Sequence, residues 1–139
     1  MSGAAGAPGE HAFADSGFLA DALTQTDKLR DTLLELYRSS PGRLLPERLM
    51  YGSDWEMLAT QVDADRYLDR FISVLGQIDD ALPEARVRGL PPSGAFFGWN
   101  AVSYLGLAAG MRTRARLERF YQKHRVPAPD WMIKVDRGH

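Results

Sequence analysis

Two aspartates that follow short apolar runs are the residues of this sequence most suited to chemistry. The clearer one is Asp54, which closes the run Leu49-Met50-Tyr51-Gly52-Ser53-Asp54. Leu49, Met50 and Tyr51 are bulky and uninterrupted, the pattern of a strand buried on both faces in a parallel sheet. Gly52 allows a turn or a close backbone approach, because it carries no Cβ. Asp54 then falls just past the C-terminal end of the strand, where barrels and doubly wound sheets gather their active groups. A carboxylate placed there can ligate a divalent metal, or take a proton from a metal-bound water of lowered pKa. The competing reading is that Ser53 and Asp54 turn the chain and cap the segment after them, which both residue types commonly do.

Asp15 stands in a similar place, at the end of His11-Ala12-Phe13-Ala14-Asp15 and ahead of Ser16-Gly17. If the two strands are parallel neighbours, their ends lie about 5 Å apart and both carboxylates open on one face. Asp15 is equally a turn residue, and that is the reading preferred for it. The histidines add little. His11 precedes the first strand, His124 falls in the last turn of a helix where the dipole favours a cation, and His139 is terminal. None forms a His-x-His or His-x-x-x-His pair, and the chain has no cysteine, so no self-contained metal site is expected.

Helices must position these aspartates. Leu29, Leu33, Leu36 and Tyr37 recur at helical spacing, with Thr24 and Asp27 as a capping box and Ser39-Ser40-Pro41-Gly42 as the stop. A second helix is expected over residues 63–78, its stripe made by Tyr67, Leu68, Phe71, Ile72, Leu75 and Ile78. Strand, Asp and helix therefore occur twice, which predicts right-handed βα units and a parallel pair. Prolines bracket a loop over residues 82–93. A third helix is expected over 95–107, with Phe97, Ala101, Tyr104 and Leu105 on one face and Gly106 as its C-terminal cap. The last helix, over 113–125, has Thr113 as N-cap and Leu117, Phe120 and Tyr121 inside. Its outer face is basic, with Arg112, Arg114, Arg116, Arg119, Lys123 and Arg125. In the tail, Trp131 and Ile133 are expected to pack back onto the domain. Two parallel strands cannot hide their own edges. Either further strands come from elsewhere, or the chain settles into a mostly helical domain.

The 139 residues fit one domain, with 45% hydrophobic and 25% charged residues as in ordinary globular chains. A net charge of −1 gives no general attraction to nucleic acid or anionic membrane. The basic helix next to a Gly-containing turn superficially suggests a helix-turn-helix, but no Asn or Gln lies on its basic face to read bases, so a solvated face is expected. No apolar run approaches the roughly 20 residues that span a bilayer. Residues 1–10 read as a flexible leader, not a secretory signal, and a cytoplasmic location is expected.

The stretch Pro46-Glu47-Arg48-Leu49-Met50-Tyr51-Gly52-Ser53-Asp54-Trp55 resembles the last strand of the amidohydrolase-related family of metal-dependent (β/α)8-barrel hydrolases and decarboxylases. Glu56 stands where that family commonly has Pro. Phe97-Gly98-Trp99-Asn100-Ala101-Val102-Ser103-Tyr104-Leu105-Gly106-Leu107 resembles the family's closing helix, and residues 11–18 resemble its penultimate strand. The resemblance implies an α/β fold, helix-rich overall. It would be a partial (β/α)8 barrel comprising the last two βα units (residues 11–107) plus a C-terminal helix and tail (108–139). It implies that Asp54 is the catalytic and metal-binding carboxylate, with zinc the expected metal of the complete family site. The family's other ligands have no counterpart here, and one Asp does not close a catalytic zinc site, which usually has three protein ligands. The chain is therefore expected to be inactive alone, as a truncated product or as a piece completed by a complementary barrel fragment or a homo-oligomer. The alternatives are a non-enzymatic helical interaction module and, less favoured, a nucleic-acid-binding helix-turn-helix-like protein.

Overall fold

The computed structural model describes residues 14–15, 25–39, 44–53 and 55–137. The expected leader, His11, Thr24, Asp54 and His139 lie outside the described residues. Strand β1 (Ala14–Asp15) pairs in parallel with strand β2 (Leu49–Met50), Ala14 beside Leu49 and Asp15 beside Met50. Helix α1 (Thr26–Ser39) lies between them in sequence, giving the crossover that parallel neighbours require. The parallel pair expected from the strand–Asp–helix pattern is thus present. Everything else of regular structure among the described residues is helical or a turn, so the chain is helix-rich.

Helix α1 buries Leu29, Leu33 and Tyr37 but leaves Leu36 largely exposed, so its apolar stripe is narrower than expected. A short helix that the sequence reading missed, α2 (Leu44–Arg48), runs directly into β2. Its proline, Pro46, lies in the first turn, where a missing N–H costs nothing. β2 is followed by the one-turn helix α3 (Trp55–Leu58). A 3-10 turn (Ala64–Arg66) then leads into α4 (Tyr67–Ala81). This helix starts later than residue 63 because Asp63 adopts a left-handed conformation, φ 61°. Tyr67, Phe71, Val74, Leu75 and Ile78 are buried along it. Leu68 and Ile72, expected inside, are exposed, while Val74 takes the central position. The buried arc is centred on Phe71 and Val74 because α4 packs between α1 and the segment that begins at Pro92.

That segment is one continuous helix in three parts, α5 (Pro92–Gly94), a π-helical turn (Ala95–Trp99) and α6 (Asn100–Tyr104). Pro92 suits the first helical position. The Asp79 carboxylate of α4 accepts the Ser93 backbone N–H at 2.9 Å and the Ser93 hydroxyl as well, tying the helix start to the core. The π turn changes which face is buried. Ala95, Phe96 and Asn100 point inward and Phe97 is partly buried. Tyr104 and Leu105, placed inside by a uniform 3.6-residue period, are exposed. A π turn holds more than 3.6 residues, so it rotates every later side chain relative to that template. Gly106 ends the helix as expected. Its φ is +64°, the Leu107 N–H bonds the Val102 carbonyl at 2.9 Å and the Gly106 N–H bonds the Ser103 carbonyl at 3.1 Å. This paired set is the Schellman arrangement, which glycine enters without a Cβ clash.

Two further helices are α7 (Arg112–His124) and α8 (Asp130–Arg137). Met111, not Thr113, is the N-cap of α7. Arg114 is not on the outer face, being only 4% exposed, whereas Phe120 faces water. In α8 it is Met132 that is buried, while Trp131 and Ile133 remain substantially exposed. No helix among the described residues is long and apolar enough to cross a membrane.

Candidate functional site

The tightest constellation near the expected site lies immediately ahead of Asp54, where residues 46–53 pass between helices. Asn100 is fully buried, and its Nδ2 donates to the Pro46 carbonyl at 2.8 Å and the Leu49 carbonyl at 2.7 Å. From the neighbouring π turn, the Phe96 carbonyl accepts the Tyr51 N–H at 2.9 Å. Leu49 and Tyr51 are two residues apart, so their backbone groups point to the same side of the strand. One edge of β2 is therefore paired with β1, and the other is taken up by a helix carbonyl and an amide side chain. This resolves the edge problem for β2. It also corrects the expectation of a strand buried on both faces, since Leu49 is buried but Met50 and Tyr51 are only half-buried.

Asn100 acts as a latch. Its two bonds cross more than fifty residues of sequence, and removing the side chain would leave two carbonyls without that donor. The Asn100 Oδ1 atom is itself buried without a partner, a cost that the two Nδ2 bonds offset. Sequence reasoning met Asn100 only inside a family-like motif. The physical signal was available, because an Asn inside an otherwise apolar helix runs against propensity and points to a specific bond.

Aromatic rings surround the same stretch. Tyr51 lies 5.6–6.2 Å, centroid to centroid, from Tyr67, Phe71, Phe96 and Phe97, and Phe71 stacks on Phe96 at 5.6 Å. The Tyr67 hydroxyl makes a long 3.5 Å contact with the Gly52 carbonyl. Burial pushes the Tyr51 phenol above its ordinary value, so it remains a neutral hydroxyl through the physiological range. Tyr37 is raised further, first by burial and second by the Asp79 carboxylate, and its hydroxyl has no hydrogen-bond partner. Neither phenol is poised as an acid or base near neutrality. What these residues provide is a fixed backbone leading up to Asp54.

Of the two expected carboxylates, Asp15 lies beside Met50 in the β1–β2 register, and Asp54 is four positions further along the chain. Among the described residues no three His, Cys, Asp or Glu side chains gather in a way that would hold a metal ion. His124 sits in the last turn of α7 as expected, with its ring 4.6 Å from Phe120. A separate cleft of about 670 Å³ lies towards the N-terminal end of β2, lined by Glu47, Arg88, Trp99, Ser103 and Tyr104 among others. The Arg88 guanidinium stands over the Trp99 ring at 4.8 Å. Arg88 and Gly89 both have positive φ in a two-residue turn closed by Val87 and Leu90, the geometry of a type I′ hairpin turn.

Comparison with protein-family models, with curated proteins and with solved structures finds no match to this chain.

Proposed function

We propose that this chain is the C-terminal pair of βα units of an amidohydrolase-like barrel, with Asp54 as a metal-side carboxylate, and that it does not catalyse metal-dependent hydrolysis by itself. The observation that carries this reading is the parallel pairing of β1 and β2 across α1, followed by α4. Consecutive βα units with parallel neighbouring strands are the repeating element of such a barrel. The Asn of the Gly-Trp-Asn-Ala stretch bonds to the strand ahead of Asp54, giving that motif a concrete task. Asp54 follows the C-terminal end of β2, where a barrel carries its chemistry. The residues in hand supply one carboxylate of a site that needs about three protein ligands. Zinc, when bound in a completed barrel, would lower the pKa of its water, and Asp54 would orient that water or accept its proton.

The second reading is a stand-alone helical interaction module, favoured by the occupied far edge of β2. A further strand can join that edge only by displacing the Phe96 carbonyl and the Asn100 amide. The helix that begins at Trp55, directly after Asp54, also suits a capping role for this aspartate.

Zinc content and hydrolysis by the purified chain separate these readings from a self-sufficient enzyme. The expected result is less than one tightly held zinc per chain and no hydrolysis above buffer. Stoichiometric zinc together with hydrolysis abolished by Asp54→Asn would overturn the incomplete-site reading. Light scattering then divides the first two readings. Assembly with a fragment carrying the other βα units, with zinc uptake that depends on Asp54, supports the barrel. A monomer that ignores such a fragment argues against the barrel.

A further inference from the structure

The outward face of α7 carries Arg112, Arg116, Arg119 and Lys123, all exposed. Their spacings of four, three and four residues place them within an arc of about 60° and along about 16 Å of one helix. Arg114, Leu117 and Tyr121, which are buried or half-buried, occupy the opposite side. Arg114 is already neutralised. It pairs with Glu118 at 2.8 Å and Asp136 at 2.7 Å and also donates to the Leu107 and Met132 carbonyls. None of the four outward cations makes an ion pair among the described residues. Neighbouring like charges at these spacings disfavour the helix that holds them. The stripe is therefore kept at a cost in stability, without a carboxylate to offset it.

The whole-chain charge of −1 conceals this segregation. Residues 112–125 hold five Arg, one Lys and one Glu, so the remainder of the chain is distinctly acidic. A narrow line of cations is complementary to a linear polyanion, and arginine's fork of donors suits phosphate oxygens. Phe120, four residues on from Arg116, is 53% exposed beside the stripe and offers a ring on which an unpaired base can stack. An anionic membrane fits less well. Trp131, the side chain most suited to a bilayer interface, stands beside the buried Arg114 on the face away from the stripe. Gln122 is set off from the stripe and no Asn lies on it, so the contact carries no means of reading base edges.

We infer that the α7 stripe of Arg112, Arg116, Arg119 and Lys123 binds the phosphodiester backbone of a single-stranded nucleic acid without sequence specificity. The inference is independent of the barrel reading, since it uses neither Asp54 nor the strands.

The test is fluorescence anisotropy of the full chain with a labelled mixed-sequence single-stranded DNA of about 20 nucleotides, longer than the about 4–16 nucleotides that such surfaces occupy. Four phosphate contacts give a slope of log K against log salt near about −3. Replacing all four residues by Gln abolishes binding, while the helical circular dichroism is kept and the melting temperature is equal or higher, because repulsion is removed. Phe120→Ala weakens binding about tenfold with the slope unchanged, as expected for lost stacking. Lys28→Gln, on α1, leaves binding unchanged. The inference is overturned by absence of binding at about 50 mM salt, where such contacts are strong. It is also overturned by full binding in the fourfold variant, or by preference for duplex DNA or phosphatidylserine vesicles over the single strand.

Discussion

The segment from α1 to α6 and the α7–α8 pair are held together by opposite means. The first is organised by apolar and aromatic contact. Leu29, Leu33, Tyr67, Phe71, Val74, Leu75, Ile78 and Phe96 are buried together, and Phe71 and Phe96 stack. The second is pinned by a buried cation. Arg114 joins the start of α7 to α8 through Asp136 and the Met132 carbonyl, with Met132 as the main apolar contribution from α8. The difference comes from composition. Residues 67–78 contain seven Tyr, Leu, Phe, Ile or Val side chains on a helix, whereas half of residues 112–125 are charged and only three are Leu, Phe or Tyr. Where apolar area is scarce, one well-satisfied guanidinium takes over the work of docking two helices. Its carboxylate partners reach water, so the pin is less costly to build than a fully buried pair.

The largest expected effect comes from breaking the aromatic side of this contrast. Phe96→Ala removes a fully buried ring that touches Tyr51, Phe71 and Phe97, and should cost about 3–5 kcal/mol. Urea denaturation followed by circular dichroism measures this. A loss below about 1 kcal/mol would mean that the core collapses around the vacancy and is less tightly specified than its geometry indicates.

A smaller and more local effect is expected at the ionic pin. Arg114→Met keeps the bulk but removes every side-chain hydrogen bond, at a cost of roughly 2–3 kcal/mol. Amide hydrogen exchange should quicken across α8 and the start of α7 while the α4 amides keep their protection. Uniform loss of protection in both regions would show that the two are one cooperative unit.

The smallest effect is expected from a polar fault inside the apolar region. The Tyr37 hydroxyl is buried without a partner, so Tyr37→Phe should be neutral or stabilising by about 1 kcal/mol. The Tyr37 phenol titrates well above its ordinary value of 10.0 in the folded chain. The unfolded state thus loses the proton first as pH rises. The contribution of Tyr37 is constant below about pH 9 and turns destabilising above pH 10, by about 1.4 kcal/mol per pH unit until the folded phenol titrates. Thermal melts of the wild type and Tyr37→Phe between pH 8 and 11 should diverge only at the alkaline end. Parallel curves would place the alkaline sensitivity on other groups.

Much of the framework was legible in local pattern. The α1 stripe, the stop at Ser39, the parallel pairing, the loop before Pro92 and the Gly106 cap each reflect short-range periodicity or a residue with one strong conformational preference. The misread face of the helix after Pro92 and the misread start of α4 share one cause. They arose where a uniform helical period was extended across a place at which the backbone changes its geometry. The π turn at Ala95–Trp99 rotated Tyr104 and Leu105 outward, and the left-handed Asp63 delayed α4. Arg114 was missed for a different reason. Nothing local distinguishes it from Arg112 or Arg116, since its carboxylate on α8 lies twenty-two residues away.

The sequence by itself determined that this chain is rich in helix, that its short apolar strands run parallel, and that Asp54 comes after the second of them. Those are properties of neighbouring residues, set by side-chain spacing and by glycine and proline. Only the tertiary structure decided how the second strand edge is satisfied, which arginine goes inside and which four cations stay out. The first two outcomes depend on a hydrogen-bond partner supplied by a distant part of the chain, and the four outward cations have none among the described residues. Asn100 meets Leu49, Phe96 meets Tyr51 and Arg114 meets Asp136 because a polar group left unpaired on burial costs free energy. Periodicity carries no record of which partner will be near.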